Sequence, residues 1–375
     1  MQRRTFLASA AGWTTAAAMA PSLSSCSTSR LAAREAPSGI EDPRLRAAAY
    51  GLLASSPHNA QPWKLRLLAS GGLDVHVDRD RLLPETDPVY RQVYVGQGTF
   101  LEQLALGARV GGQRALIETF PEGTGLDAPV ARVRLQPAQS AAAASGLGAH
   151  LTARQTNKRP YEARPVDRGA LRAIEAEGTD QASIMMLTDE NRLVAIRSIA
   201  IDAMAIEVAD EQRNAELLEW FRFSDDEFEA RRDGIGLPQN GITGFRRWFA
   251  ESFIVRRSES TKDPESAFSR GAIDLLRKQV EATPAFAMIV TPQNDRRHQV
   301  EAGRVYARLQ LRARALGVQT HPVSQALQEY PAMRPLYDGV HALVDPGETI
   351  QMLVRLGHAK PVPFAPRRPI RALLA

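Results

Sequence analysis

Apolar and polar positions alternate with two different periods along the first part of the chain. A period of two is typical of half-buried strands, and a period near 3.6 is typical of helices. The predicted elements are a helix end at AAAYGLLA (47–54), strands at KLRLL (64–68), LDVHVD (73–78) and VARVRLQ (130–136), and a helix at FLEQLALGARVGG (100–112). An Ala- and Gly-rich connection at 137–149 then gives the best internal boundary.

After this boundary the order of elements begins again. The predicted elements are a helix at DRGALRAIEAE (167–177), a strand at SIMMLT (183–188), a long helix at 189–218, a strand at AFAMIVT (285–291), a helix at VEAGRVYARLQLRARALG (300–317), a loop around His321-Pro322 and a strand at IQMLVRLGHA (350–359). Helices and strands without regular βαβ spacing predict an α+β fold. We therefore expect two halves, 44–150 and 151–375.

The first residues predict a targeting segment. MQRRTFLASAAGWTTAAAMA combines Arg3-Arg4 and Phe6-Leu7 with an apolar stretch too short to span a membrane. It resembles a twin-arginine export signal over 1–25, a route for proteins that fold before export. The alternative is a basic start on a cytoplasmic protein.

Cys26 is the single cysteine, so internal disulfides are excluded. Its context, Leu23-Ser24-Ser25-Cys26, resembles a lipobox, and lipidation there would anchor the chain to a membrane. Residues 26–43 then form a flexible tether. These patterns predict a periplasmic, membrane-anchored lipoprotein; the alternative is that Cys26 is discarded with the signal.

Composition excludes several classes of function. The chain has 375 residues, 44% apolar and 24% charged, which is ordinary for a globular protein. Its net charge of +5 is carried by dispersed arginines, so a nucleic-acid partner has no support. Gly96-Gln97-Gly98 is not a dinucleotide fingerprint because Leu101 takes the third glycine position, and we expect a glycine-lined helix N-terminus instead. Walker, HExxH, CxxC and GxSxG patterns do not occur, so we expect no catalytic metal and no hydrolase.

The segment SSPHNAQPW (55–63) carries more hydrogen-bonding groups than a turn requires. It resembles the SSxNxQPWxF loop of the nitroreductase family of FMN enzymes. RQTNKRPY (154–161) resembles the RxSxR/K motif of that family, and the last third of the chain resembles its closing segment. The long second half, with RRDGI (231–235), is similar to the Acg-like branch. The resemblance covers most of 44–375.

The resemblance implies a nitroreductase-like fold and one FMN. In ordinary family members two chains share two FMN sites, and each chain carries both motifs. Here the SSPHNAQPW loop occurs only in the first half, and RQTNK with the basic tail only in the second. We therefore expect a pseudo-dimer made by one chain, functional as a monomer.

The resemblance also implies the cofactor-binding residues. Arginine and lysine suit the FMN phosphate, and amides and hydroxyls suit the edge of the flavin ring. The residues are Arg154, Lys158, Arg367 and Arg368 for the phosphate, Thr156 in place of a serine, Ser56, Asn59 and Gln61 for the ring, and Pro322 and Ser324, whose backbone N–H is placed to reach flavin N5. Trp63 is expected to pack beneath the loop. The alternatives are an Asx turn and solvated basic faces.

Three functions remain open at this level. The first is an FMN-dependent oxidoreductase that passes electrons from a small-molecule donor to a nitro, quinone or similar acceptor. The second is an exported protein that sequesters FMN without turnover, because NAD(P)H is scarce outside the cytoplasm. The third is a cofactor-free structural lipoprotein. Residues 219–262 form either a lid over the flavin face or a brace between the halves.

Overall fold

The computed structural model describes residues 36–138, 146–253 and 263–375. The export signal, Cys26 and most of the tether lie outside the described residues, as does the middle of the 137–149 connection. The predictions made for them stay predictions.

The first half forms an antiparallel sheet with two helices. Its elements are α1 (Pro43–Gly51), β1 (Trp63–Leu67), β2 (Leu73–Val77), α2 (Arg91–Val110), β3 (Gln113–Thr119) and β4 (Ala131–Pro137). The strands lie in the order β1-β2-β4-β3. The core of this half packs Trp63, Leu65 and Val75 of the sheet against Phe100 and Leu104 of α2, all fully buried.

The second half repeats this plan with additions. Its elements are α3 (Arg168–Glu175), β5 (Ser183–Leu187), α4 (Glu190–Ala209), α5 (Glu211–Glu219), α6 (Asp225–Arg231), α7 (Gly244–Phe253), α8 (Ala267–Glu281), β6 (Ala285–Thr291), α9 (Arg296–Ala315), β7 (Gln319–Pro322), α10 (Arg334–His341) and β8 (Thr349–Gly357). The antiparallel order is β5-β6-β8-β7. Every residue of the central strands β6 and β8 is buried, so the sheet is covered on both faces. The α+β prediction is confirmed.

The two halves correspond element by element. Each sheet has its first and second strands paired, its fourth strand next and its third at the edge, and α2 and α9 follow the second strand in each half. These two helices cross at Gly98 and Gly303, whose Cα atoms face each other. A side chain on Gly98 would overlap the carbonyl of Val300, and one on Gly303 would overlap that of Val95. This reciprocal contact is what a two-fold interface requires, and it supports the pseudo-dimer.

Two helix predictions are corrected. Helix α2 begins at Arg91 rather than at residue 100, so Gly96 and Gly98 lie inside the helix and not at its N-terminus. Glycine disfavours helices in isolation, but here its missing Cβ allows α9 to pack closely. The long helix predicted at 189–218 is two helices, because Asp210 has an extended backbone and its side chain caps α5.

Two strands were not predicted from the sequence. The edge strand β3 (Gln113–Thr119) follows α2 directly, and β7 (Gln319–Pro322) occupies what was predicted as a loop around His321. Both are edge strands, so their hydrophobic signal is weaker than that of the central strands.

The second half differs from the first by an insertion and a tail. Helices α4 to α8 lie between β5 and β6, where the first half has only a short turn at 68–72. After β8 the chain returns to the first half, where Ile370 and Leu373 join its core and Leu374 forms a parallel bridge with Leu65. The second half is therefore connected to the first at both of its ends, by the chain at its start and by the packing of its tail.

Candidate functional site

A cavity of about 250 Å³ lies where the two halves meet. By the same measure one water molecule needs only about 10–15 Å³, so the cavity is large enough for a ligand. Its walls come from four regions of the chain: the SSPHN segment with the first turns of α2, the RQT-K segment at 154–158, the 321–325 segment, and the tail at 363–367. Residues of the insertion complete the walls.

The SSPHNAQPW loop is held in a strained shape. His58, Asn59 and Gln61 have φ values of 47°, 54° and 55°, a left-handed region that non-glycine residues rarely adopt. Trp63 anchors the loop from below: it is fully buried, donates from Nε1 to the carbonyl of Gly96 at 3.1 Å, and packs on the ring of Phe100. The prediction of core packing for Trp63 is confirmed. Strain of this kind is maintained only where the surroundings fix it, which is common at functional sites.

Asn59 presents an acceptor with no partner. Its Nδ2 donates to the carbonyls of Gly234 and Pro366 at 3.1 and 3.3 Å. Its Oδ1 is buried and makes no hydrogen bond in the described part of the chain. Since Asn59 lines the cavity, this oxygen is available to a donor from a ligand.

Arg154 presents donors with no partner. It is 2% exposed, and its Nη2 donates to the carbonyl of Leu53 at 2.8 Å. Its Nε and Nη1 are buried at the cavity wall and make no hydrogen bond within the described ranges. Burial lowers the pKa of this guanidinium to about 10, so it stays charged at neutral pH. A buried cation without a counter-ion is costly, and an anionic ligand would offset that cost.

Arg367 is also buried at the cavity wall, but its donors are occupied. They reach the carbonyls of Leu52, Leu53 and Ala54, just after α1, at 2.9–3.3 Å. The side chain thus caps the carbonyls that follow α1 and places positive charge beside Arg154. Arg367 would therefore attract an anionic ligand mainly through its positive charge.

Lys158 brings a third cation to the cavity. Burial lowers the pKa of its ammonium group to about 8. His58 and His321 line the same cavity. Burial and the charge of Lys158 lower the pKa of His58 to about 4, and burial with the charges of Arg355 and Lys158 lowers the pKa of His321 well below its usual value. Both imidazoles are therefore neutral at physiological pH. Thr156 and Ser56 also line the cavity, as their motifs predict.

Gln61 and Arg368 are corrected, because neither lines the cavity. Gln61 is fully buried; its Nε2 donates to the carbonyl of Arg232 at 2.9 Å, and its Oε1 accepts from the backbone N–H of Arg368. Arg368 donates in turn to the Gln61 carbonyl and to the Asp78 carboxylate, each at 3.1 Å. The two residues join the loop to the tail through these hydrogen bonds.

The 321–325 segment forms the opposite wall. Pro322, Ser324 and Gln325 line the cavity. The hydroxyl of Ser324 accepts from the N–H of Leu353 at 3.2 Å, which fixes the segment to β8. The Oε1 of Gln325 is buried without a partner among the described residues. Contact of the Ser324 N–H with flavin N5 stays a prediction.

Sequence reasoning predicted 219–262 as a lid or a brace but named none of its side chains as part of the site, and it did not identify Glu207. Glu207 of α4 and Gln239 line the cavity, and both polar atoms of the Gln239 side chain are buried without a partner in the described ranges. Gly234 lines it too and exchanges hydrogen bonds with Asn59. The described part of 219–262 therefore walls the cavity and also braces the first half; movement as a lid stays a prediction.

Two features are absent from the described ranges. These ranges contain no group of three or more histidine, cysteine or acidic side chains arranged to hold a metal ion. They also contain no helix that is both long and apolar enough to cross a membrane.

The known proteins that this chain resembles in sequence share one description. No protein-family model matches the chain. It is 27% identical over 322 residues to "Putative NAD(P)H nitroreductase Rv3131" of Mycobacterium tuberculosis, covering 84% of this chain and 86% of that protein. A second protein of the same description and organism, acg, is 26% identical over 332 residues, covering 84% and 90%. Most of this chain is therefore similar to proteins described as nitroreductases, including the acg protein.

Solved structures give weaker likenesses. The FMN and NADPH-dependent nitroreductase NfnB from sphigopyxis sp. strain HMH is 15% identical and covers 61% of this chain and 97% of that one, with a TM-score of 0.38. The superposition is therefore partial.

Proposed function

We propose that this protein is an FMN-binding oxidoreductase of the nitroreductase type, which passes electrons from a small-molecule donor to a small acceptor. The observation that carries the proposal is the cavity between the halves, where two donors of the buried Arg154 and the Oδ1 of Asn59 have no partner among the described residues. The similarity to relatives described as NAD(P)H nitroreductases supports it.

The cationic part of the cavity fits the phosphate of FMN. A phosphate is a dianion near neutral pH and forms its strongest hydrogen bonds with charged donors. Arg154 offers two free donors at Nε and Nη1, and Arg367 and Lys158 add positive charge at the same cavity. Arg154 would therefore gain the hydrogen bonds that the protein alone does not give it.

The amide part of the cavity fits the edge of a flavin ring, which carries both acceptors and an N–H donor. Within the described residues the Oδ1 of Asn59 is an acceptor without a partner, on a loop with three left-handed residues. Gln155 and Gln325 each add an Oε1 that is unpaired in the same ranges. When bound, FMN supplies a ring that takes up and releases two electrons. The part of the protein is to bind the phosphate, orient the ring and limit the access of water.

A second candidate function, storage of FMN without turnover, is favoured by one feature. The described part of the insertion contributes to the cavity wall: Leu217, Ile235 and Gln239 all line it. A ring walled on this side would be less accessible to a nicotinamide donor, and export would separate the protein from cytoplasmic NAD(P)H.

The test is a visible spectrum of the purified full chain, followed by addition of NADPH without oxygen. We expect a bound flavin that NADPH or an artificial donor bleaches. A protein purified without flavin, and unable to take it up, would contradict both functions. Flavin that no donor reduces would leave storage as the function.

We also propose that the chain is exported by the twin-arginine route and anchored at Cys26. Arg3-Arg4 and the Leu23–Cys26 segment support this, as does a cofactor that has to be inserted before export. Cell fractionation checks it: the wild type should be found with membranes and the Cys26→Ser variant should not. A cytoplasmic wild type would contradict the proposal.

A further inference from the structure

Glu207 is a buried carboxyl group at the cavity wall. It is 2% exposed and lies on α4, in the insertion, away from the motifs that form the rest of the site. Its Oε2 accepts a hydrogen bond from Nε2 of Gln328 at 2.5 Å. Its Oε1 accepts none from the residues that the structure describes.

A chain of hydrogen bonds fixes the orientation of this carboxyl. The Tyr330 hydroxyl donates to Oε1 of Gln328 at 2.9 Å, so the Nε2 of Gln328 points to Glu207. The guanidinium of Arg213 lies 3.7 Å from the centre of the Tyr330 ring and holds it in place. Because the Oε2 of Glu207 is occupied as an acceptor, a proton on the carboxyl resides on Oε1.

The surroundings favour the protonated form of Glu207 up to neutral pH. Burial raises the pKa of this carboxyl to about 7, and Glu216 of α5 adds to the rise. The hydrogen bond from Gln328 and the charges of Lys158 and Arg213 act in the opposite direction. Glu207 therefore keeps its proton below about pH 7 and loses it as the pH rises further.

We propose that Glu207 is the acid that delivers a proton to the acceptor during its reduction, with Gln328 as the residue that positions it. The proposal rests on the proposed function. In the reduction of a quinone, one carbonyl oxygen would take two electrons and one proton from the reduced cofactor, and the other carbonyl oxygen would take a proton from Oε1 of Glu207. The product is a hydroquinone, and Glu207 is left as a carboxylate that regains a proton from solvent.

The proposal also defines the class of acceptor. A carboxylate at this wall would repel an anion, and a carboxylic acid would donate to an oxygen. The acceptors that fit are neutral molecules with a carbonyl or nitro oxygen. They would lie against the apolar side chains of Met204, Leu217 and Met352, which share this cavity.

The kinetic experiment compares two acceptors in the flavin-loaded full chain at pH 6. Benzoquinone needs protons for its reduction, and ferricyanide takes electrons alone. In Glu207→Gln we expect the ratio of the benzoquinone rate to the ferricyanide rate to fall by about tenfold or more, the lower end of what a general acid contributes. Glu219→Gln, an exposed carboxylate at the end of α5, is the matched control, and its ratio should equal that of the wild type.

A second readout does not depend on turnover. Infrared difference spectra between the wild type and Glu207→Gln at pH 6 should contain the C=O stretching band of a protonated carboxylic acid. That band should lose half its intensity near pH 7. In Gln328→Leu the midpoint should move to higher pH, because the carboxylate loses its donor. Gln328→Leu also keeps the proposal testable if Glu207→Gln fails to fold.

The possible results separate this proposal from the proposed function. An unchanged rate ratio in Glu207→Gln, or the absence of the carboxylic acid band at pH 6, overturns the role of Glu207 alone. A wild type that carries no flavin, or carries flavin but does not reduce benzoquinone, overturns the proposed function and the role of Glu207 together.

Discussion

Arg154 and Asn59 each keep polar atoms that no residue in the described part of the chain pairs. The hydrogen bond that Arg154 makes within those ranges is to a backbone carbonyl, so removing its buried charge breaks no ion pair there. Residues placed in this way usually lower stability in exchange for binding. Stability and ligand binding should therefore respond in opposite directions when Arg154 is replaced.

We predict that Arg154→Met binds flavin more weakly by roughly ten- to a hundredfold, as expected for the loss of a charged hydrogen bond of about 1.5–3 kcal/mol. Its thermal unfolding without flavin should be no lower than that of the wild type. Asn59→Ala should also lower flavin content. Flavin titration and thermal unfolding measure both effects. Arg109→Met, at an exposed position of α2, is the control, and equal flavin affinity in Arg154→Met and Arg109→Met would contradict the site.

The sequence predicts some of these residues better than others. Short motifs carry enough information to identify Asn59 and Arg154, because their spacing is local. They do not distinguish a residue whose side chain faces the cavity from one that faces the protein, which is why Gln61 and Arg368 were placed in the site. Glu207 is close to the site only through the packing of the insertion, and no local pattern indicates it.

At the scale of elements, the crossing of α2 and α9 decides how close the halves lie. Gly98 and Gly303 face each other with no room for a side chain on either. Helix α8 contains a glycine with open space around it: a Cβ at Gly271 would meet no atom within 4 Å. The same substitution at Gly98 and Gly271 therefore separates a packing effect from a helix-propensity effect.

We predict that Gly98→Ala lowers the free energy of unfolding by about 3 kcal/mol, because the methyl group overlaps a backbone carbonyl that cannot move without separating the helices. Gly271→Ala should raise it by about 1 kcal/mol, the ordinary gain of alanine over glycine in a helix. Urea unfolding of the two variants checks this. If Gly98→Ala were as stable as the wild type, the close approach of α2 and α9 would be wrong.

The elements that the sequence predicted well are those with a strong local pattern. Strand β6 (Ala285–Thr291) was predicted with its exact bounds, because it is continuously apolar. The start of α2 was missed because two glycines within it read as a helix boundary. Only the neighbouring helix α9, about two hundred residues later, explains why glycine occurs there.

For the whole molecule, the correspondence of the halves raises the question of a second site. Since Gly98 corresponds to Gly303 in the reciprocal crossing, Gly96 corresponds to Glu301. Gly96 lines the cavity, whereas Glu301 carries a side chain paired with Arg304 and Arg308 at 3.5 and 3.4 Å. At the position that mirrors Gly96, this chain therefore has a charged side chain in an ion-pair cluster, where the cavity has a glycine.

We predict one flavin per chain in a monomeric protein. Flavin absorbance at a known protein concentration gives the ratio, and light scattering gives the mass of the particle in solution. Two flavins per chain would contradict the assignment of Glu301, and a stable dimer would contradict the interpretation of the chain as a complete pseudo-dimer.

The return of the tail to the first half has a consequence for folding during synthesis. Ile370, Leu373 and Leu374 complete the packing around Leu65, yet they leave the ribosome some three hundred residues after it. The first half therefore waits in an unfinished state while the second is made, and contacts so distant in sequence form slowly. A chaperone that shelters the exposed edge of β1 during this interval would favour correct folding over aggregation.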